Sequence, residues 1–361
     1  MRVAFRVDAS LEMGSGHVMR CMTLADELKL RGYECVFISR RQPGELSELI
    51  VQRQHAVYML PECEEDSDQI LAHSNWLKGG QKRDFKESAE VLQKIQPDWL
   101  VVDHYGIDKS WERAARRYVK HILAIDDLAD REHDCNILLD QNLGQTRKAY
   151  QSLLPDRCMV LAGTDYTLLR PEFLDYRTRS MEYRLYQKKI NRVLITMGGV
   201  DKDNYTEKAL TALESSQLSH NTEVLVILGK NAPSLSLIEK QVKMSFLNVH
   251  LVNNIHNMAE RMANTDLAIG AAGSTSWERC CLGVPSIMCI IANNQRVVAN
   301  ALSLEGAAIL ADGASVAQSI QQQIDQLLQN VDRLTELSQK AFKIVDGKGT
   351  DRVVQTMQNR F

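Results

Sequence analysis

Three short clusters in this 361-residue chain have the residue types and spacing of groups that do chemistry. The first is Arg6-Val7-Asp8-Ala9-Ser10-Leu11-Glu12-Met13-Gly14-Ser15-Gly16-His17. It reads as a buried strand, a glycine loop and a histidine at a helix start. The first N–H groups of a helix have no intrahelical partners, and Gly14 and Gly16 let a ligand approach them. His17 beside such a ligand is a candidate proton acceptor. A capping or solvated histidine would look the same. The second cluster is Met197-Gly198-Gly199 followed by Asp201, Asp203 and Asn204. Its bare backbone suits a phosphate or a sugar, and its polar side chains suit a tight turn and a capped helix. The third is Ala271-Ala272-Gly273-Ser274-Thr275-Ser276-Trp277-Glu278. A glycine and hydroxyls at a helix start favour a diphosphate, by about 0.3 to 2 kcal/mol through the helix dipole alone. Glu278 is then placed to accept from ribose hydroxyls, or is simply a favourable partner of the dipole.

The first loop excludes two nucleotide motifs. Gly14-x-Gly16 lacks the third glycine of a dinucleotide fingerprint, and the second strand ends in Ser39-Arg40-Arg41 where a ribose-binding acid belongs. No Lys-Ser or Lys-Thr pair follows the glycines, which excludes a P-loop.

The elements that must position these clusters follow from hydrophobic periodicity. Residues 2–7 form an interior strand, a helix carries Val18, Cys21, Met22, Ala25 and Leu28 to a stop at Arg31-Gly32, and 35–38 is the next strand. A short helix from about 45, strands at 56–60, 99–103, 121–125 and 136–140, and a polar insertion at 62–88 that faces the active site or solvent complete the first half. Strands alternating with helices give a parallel sheet, with ligands outside the carboxyl ends of its strands. Asp8, Asp103, Tyr105, Asp126 and Asp140 all fall at such ends.

A polar, arginine-rich stretch at 175–189 separates this half from a second alternation. Strands there are expected at 191–199, 223–228, 249–252, 267–270 and 285–291, with closing helices near 315–329, 333–345 and 350–358. The expected architecture is α/β, with two Rossmann-like domains, 1–180 and 190–361, facing each other across a cleft.

Composition sets bounds on partners. A net charge of -3 gives no basic field for nucleic acid or anionic lipid. No run of about twenty apolar residues occurs, and charged residues interrupt the N-terminus, so a cytoplasmic protein without membrane attachment is expected. The eight cysteines form no C-x-x-C pair and read as packed thiols, not as disulfides or zinc ligands.

Phe5-Arg6-x-Asp8-x-Ser10 with Gly14-x-Gly16-His17, then Asp103-His104-Tyr105-Gly106, Leu168-Leu169-Arg170-x-Glu172-Phe173 and Met197-Gly198-Gly199-x-Asp201-x-x-Asn204, together resemble the UDP-sugar hydrolases of pseudaminic acid biosynthesis. The resemblance runs in order through nearly the whole chain. It implies a GT-B-like fold, similar to the glycosyltransferase that adds N-acetylglucosamine to lipid I. It also implies hydrolysis of UDP-2,4-diacetamido-2,4,6-trideoxy-β-L-altropyranose to UDP and the free sugar, with inversion at the anomeric carbon and without a metal or cofactor. On that resemblance His17 is the base that activates water and Tyr105 lines the same site. Gly16, Gly198, Gly199 and Ser274 become phosphate neighbours, Asn204 and Glu278 substrate or nucleotide contacts, Ile255 beside Asn254 a backbone holder of uracil, and Arg170 a substrate or cleft residue. A GT-B glycosyltransferase using a UDP-amino sugar, with His17 deprotonating an acceptor hydroxyl, is the first alternative. A non-catalytic nucleotide-sugar binding module is the second.

Overall fold

A computed structural model of the chain describes residues 1–63, 71–186, 188–229, 232–253, 255, 257–313 and 315–360. The chain divides into two compact units, one of residues 1–168 with 348–361 and one of 169–347. Residues 64–70 of the expected polar insertion and Asn254 lie outside the described residues.

The first unit is built on seven parallel strands: β1 (Arg2–Val7), β2 (Glu34–Arg40), β3 (Ala56–Leu60), β4 (Trp99–Asp103), β5 (His121–Ile125), β6 (Ile137–Asp140) and β7 (Met159–Ala162). Their order in the sheet is β3-β2-β1-β4-β5-β6-β7. Helices α1 (Gly16–Leu30), α2 (Ser47–Gln52), α3 (Gly80–Ile95) and α4 (Lys109–Ala115) connect β1 through β5 in turn. Because both faces are covered, the central strands are almost entirely buried, which is why they read as apolar runs. Val3, Phe5 and Val7 of β1 join the core on the α1 side, and Ala4 joins the core on the other. The sheet order reverses between β1 and β4. That reversal point, outside the strand carboxyl ends, is where a doubly wound sheet opens a ligand crevice.

The insertion expected at 62–88 is not a surface loop throughout. Its C-terminal part is the first half of α3, and Asp84 on that helix is fully buried against Arg6, which explains an arginine in an interior strand.

The second unit repeats the plan with β8 (Arg192–Thr196), β9 (Glu223–Ile227), β10 (Asn248–Val252), β11 (Leu267–Ala271), β12 (Ser286–Cys289) and β13 (Ile309–Leu310) in the order β10-β9-β8-β11-β12-β13. Its helices are α5 (Pro171–Tyr186), α6 (Tyr205–Glu214), α7 (Leu235–Met244), α8 (Met258–Ala263), α9 (Thr275–Cys281), α10 (Arg296–Leu304), α11 (Val316–Gln329) and α12 (Asp332–Ile344). Here the order reverses between β8 and β11.

The unit boundaries differ from the expected division at 180–190. The arginine-rich stretch 175–189 is mostly α5, and its polar groups are spent inside the second unit. Ser180 Oγ and Arg184 Nε donate to the Leu282 carbonyl at 2.7 and 3.0 Å, and Arg184 also reaches the carbonyls of Thr265 and Met262 at 2.7 and 3.0 Å. The last helix, α13 (Gly349–Arg360), returns to the first unit. Val353, Val354 and Met357 complete the core beside α1, so the chain's C-terminal helix is not part of the second domain.

Candidate active site

In the first unit the loop after β1 is held in one shape before any ligand arrives. Ser10 Oγ accepts from the Glu12 and Met13 N–H groups at 3.3 and 3.0 Å, and the Ser10 carbonyl accepts from Gly14 N–H at 2.8 Å. Gly14 has φ +76°, a conformation that costs an L side chain free energy and costs glycine none. Gly44 packs so closely that a Cβ there would lie 2.7 Å from Leu11 N. Ser15 precedes α1 without a side-chain cap, so helix-start N–H groups around Gly16 are not taken up by a capping side chain.

His17, in the first turn of α1, meets Asp103, the last residue of β4, with Nδ1 2.7 Å from Oδ1. A neutral imidazole that donates from Nδ1 to a carboxylate carries its lone pair on Nε2, the form a general base needs. Asp103 is fully buried and also accepts from Arg20 Nε at 2.6 Å and Nη2 at 2.7 Å. Burial by itself would raise its carboxyl, but Arg20 and then His17 hold it well below the ordinary carboxylate range. It therefore stays anionic and keeps the imidazole oriented. Arg20 extends the network to Asp127 at 2.5 Å, and Asp127 accepts from the Tyr105 hydroxyl at 2.7 Å.

Tyr105 contributes its ring more than its hydroxyl. The ring lies edge-on to His17 with centroids 4.6 Å apart, while the hydroxyl is occupied by Asp127 and burial pushes its ionisation far up. Trp76 stands 6.3 Å from His17 and 5.7 Å from Tyr105, and His73 stands 4.4 Å from Trp76 and 5.5 Å from Tyr105. Tyr105 and Trp76 thus line the imidazole and His73 packs on both of them, a lining suited to the apolar face of a sugar. Behind them Arg6 binds both oxygens of Asp8 at 2.6 and 2.8 Å, and His104 Nδ1 accepts from Gly106 N–H at 3.0 Å.

In the second unit Gly198 and Gly199 follow β8, and Gly273 and Ser274 follow β11, so all four occupy the reversal point of that sheet. Gly198 has φ +89° with nothing within 4 Å of where a Cβ would stand. Asp201 and Asn204 serve the turn and cap foreseen for them. Asp201 accepts from the Tyr205 and Thr206 N–H groups at 2.8 Å each, and the Asn204 side chain accepts from Glu207 N–H at 3.4 Å. Ser274 is exposed and caps α9 without a side-chain hydrogen bond. Glu278 lies one turn on, half-buried, its carboxyl pushed up by burial, which Arg170 at 3.7 Å only partly offsets. Arg170 also pairs with Glu172 at 3.0 Å and lies over the Phe173 ring. Ile255 is half-buried in the segment after β10.

The structure therefore brings His17 and Tyr105 together in the first unit, with Gly16 beside them in sequence. It gathers Gly198, Gly199, Ser274 and Gly273 in the second, and joins Arg170 to Glu278 there. Sequence reasoning passed over Arg20, Asp127, His73 and Trp76. Arg20 had a signal, since a residue three beyond His17 shares its helix face, and Asp127 had the Asp126-Asp127 pair closing β5. His73 and Trp76 had none. Among the described residues no group of three or more His, Cys, Asp and Glu side chains has the arrangement of a metal site. No described helix is long and apolar enough to cross a membrane.

Residues 192–353 match the model of the glycosyltransferase family 28 C-terminal domain. The chain is 28% identical to the UDP-2,4-diacetamido-2,4,6-trideoxy-beta-L-altropyranose hydrolase of Campylobacter jejuni over 275 residues, 76% of this chain and 86% of that protein. It is 27% identical to the uncharacterized protein MJ1062 of Methanocaldococcus jannaschii over 80% of this chain, but spans only 55% of that protein's length. Among solved structures, Acinetobacter baumannii MurG superimposes with a TM-score of 0.69 at 16% identity, covering 99% of both chains. Two Rossmann-like parallel-sheet domains of the GT-B type are thus the fold, as the sequence led one to expect.

Proposed function

We propose that this protein is an enzyme acting on a UDP-sugar, and that it hydrolyses UDP-2,4-diacetamido-2,4,6-trideoxy-β-L-altropyranose to UDP and 2,4-diacetamido-2,4,6-trideoxy-L-altrose. The observation that carries this reading is the His17–Asp103 pair. It holds the imidazole by Nδ1 beside Tyr105 and Trp76, at the point of the sheet where a ligand crevice opens, and the neutral form that donates from Nδ1 to Asp103 leaves its lone pair on Nε2. Nε2 takes a proton from water as the water oxygen bonds to the anomeric carbon. The bond from that carbon to the diphosphate breaks, and its electron pair leaves on the β-phosphate oxygen of UDP. The departing diphosphate is a stable anion, so the step requires no strong acid. Tyr105 in this reading is a wall of the site that keeps the imidazole in place, not a second proton donor.

The nucleotide falls to the second unit. Backbone N–H groups around Gly198, Gly199, Gly273 and Ser274 meet the diphosphate, Glu278 and Asn204 meet the ribose and sugar, Ile255 meets uracil through its backbone, and Arg170 orients Glu278. The match of 192–353 to a glycosyltransferase C-terminal domain supports the assignment. Glu278→Ala is expected to weaken UDP binding about tenfold, the worth of one hydrogen bond to a charged group. Unchanged affinity in a calorimetric titration would refute the ribose role.

Transfer to an acceptor is the second reading, favoured by the same domain match and by the likeness to MurG. His17 would then deprotonate an acceptor hydroxyl. Purified protein incubated with the UDP-trideoxy sugar and no acceptor separates the two. Release of UDP together with a reducing sugar supports hydrolysis. Release that appears only after an acceptor is added supports transfer.

A further inference from the structure

Beyond the His17 network, the carboxyl ends of β5 and β6 hold three buried or part-buried acids with too few protons for their contacts. Tyr150, in a 3-10 turn (Arg147–Tyr150), is fully buried and has one hydroxyl hydrogen. Its oxygen lies 2.8 Å from Asp140 Oδ2, 3.1 Å from Asp126 Oδ2 and 3.3 Å from the Asp126 carbonyl. One O–H cannot serve two carboxylates at once, so one of the acids must bring its own proton.

The surroundings decide which acid does so. Asp126 accepts from Arg131 Nη1 at 2.6 Å and from Ala129 N–H at 2.9 Å, with His133 Nε2 3.9 Å away. Arg131 and His133 overcome its burial and keep it ionised below the ordinary range. Asp140 is also fully buried, but it accepts only from Asn142 N–H at 3.0 Å, besides its contact with Tyr150, and no cation stands within 4.0 Å of it among the described residues. The charged or titratable groups facing it are Asp127 and Asp126 after β5 and Tyr150 from the turn. Burial and the Asp127 charge push its carboxyl up to about 7.

We infer that Asp140 is a neutral carboxylic acid that donates its proton to the Tyr150 oxygen, which in turn donates to Asp126, and that Asp140 is a positioning residue for the His17–Asp103 pair. The connection runs through Asn142, whose side chain donates to Asp127 at 3.3 Å, then through Arg20 to Asp103 and His17. While Asp140 is neutral, Arg20 balances two acids. When it ionises, a third negative charge enters the cluster that positions the imidazole. The second half of the inference rests on the reading of His17 as the base.

Three measurements on the full chain and Asp140→Asn test it. Infrared titration should show a protonated-carboxyl band that fades as pH rises through about 7 and is missing in the variant. Tyr150→Phe, which removes the acceptor of that proton, should shift the band if Asp140→Asn folds poorly. An acid whose folded-state value is raised gives stability that is present below its unfolded value and lost as pH rises through the folded one. Asp140→Asn should therefore gain on the wild type in denaturant stability between about pH 4 and about pH 7, with a constant difference above that. Finally, the acid limb of the kcat/KM profile should move to lower pH in Asp140→Asn. Absence of the band, or a stability difference that does not vary with pH, overturns the neutral acid. Superimposable rate profiles overturn the positioning role. If the chain proves not to hydrolyse the sugar, the His17 reading fails, while the band and the stability curve still decide where the proton resides.

Discussion

Replacing His17 with Asn lowers turnover of the UDP-sugar by about 10² to 10⁴, the usual contribution of a positioned base, and leaves UDP affinity unchanged. The asparagine occupies similar space and can still donate toward Asp103, so the buried acid keeps a partner. It has no lone pair on nitrogen with which to take a proton from water. The residues assigned to the diphosphate and ribose belong to the other compact unit, so their contacts do not depend on the imidazole. His17→Phe should give the same loss of turnover, with a larger cost in stability because Asp103 loses a hydrogen bond. Stopped assays for UDP release together with calorimetric titration of UDP check both statements. Release at the wild-type rate by either variant would remove His17 from the chemistry.

Asp103→Asn is expected to cost nearly as much activity without touching the substrate, about 10² to 10⁴ in kcat. Asp103 accepts from His17 on one oxygen and from Arg20 on both. An asparagine offers only one accepting atom. If its amide nitrogen faces His17, the imidazole must carry its proton on Nε2 and ceases to be a base on the substrate side. If the nitrogen faces Arg20, a buried guanidinium loses half of its fork. Breaking a buried ion pair from one side also destabilises, here by about 3 kcal/mol or more. That part of the loss depends on pH with a definite sign. Asp103 is held below its ordinary range, so its stabilising effect is present above the unfolded value of about 4 and fades as pH falls further. The stability gap between wild type and Asp103→Asn should accordingly close in acid. Denaturant melts at a series of pH values measure it, and a gap that stays constant would show that the Arg20–Asp103–His17 charges do not act together.

Much of the fold is legible in the sequence because a doubly wound sheet writes itself in one dimension. A central strand buried on both faces must be a short apolar run, and the residue after it must turn toward solvent or ligand. Hence β3, β4 and β5 fall where periodicity puts them, and Asp8, Asp103, Tyr105 and Asp140 are recognisable as strand-end residues before any contact is known. The two strands that periodicity passed over are edge strands. β7 is only half-buried and β13 has two residues, so neither carries the continuous apolar signal of an interior strand.

What the chain order fixes by itself is therefore local: a glycine loop ahead of His17, acids at strand ends, and hydroxyls and Glu278 at the start of a helix. Which of these meet is decided in three dimensions. The pairing of His17 with Asp103 joins residues 86 positions apart, and the Arg6–Asp84 pair joins residues 78 apart. Sequence spacing gives no information about such pairs, because they depend on which strands lie adjacent and on which side chains point to the same face. The same holds for the glycine loop itself. The order of residues makes it a helix start open to an anion. Only the adjacency of β1 and β4 places a buried carboxylate behind His17 and holds its imidazole in one orientation.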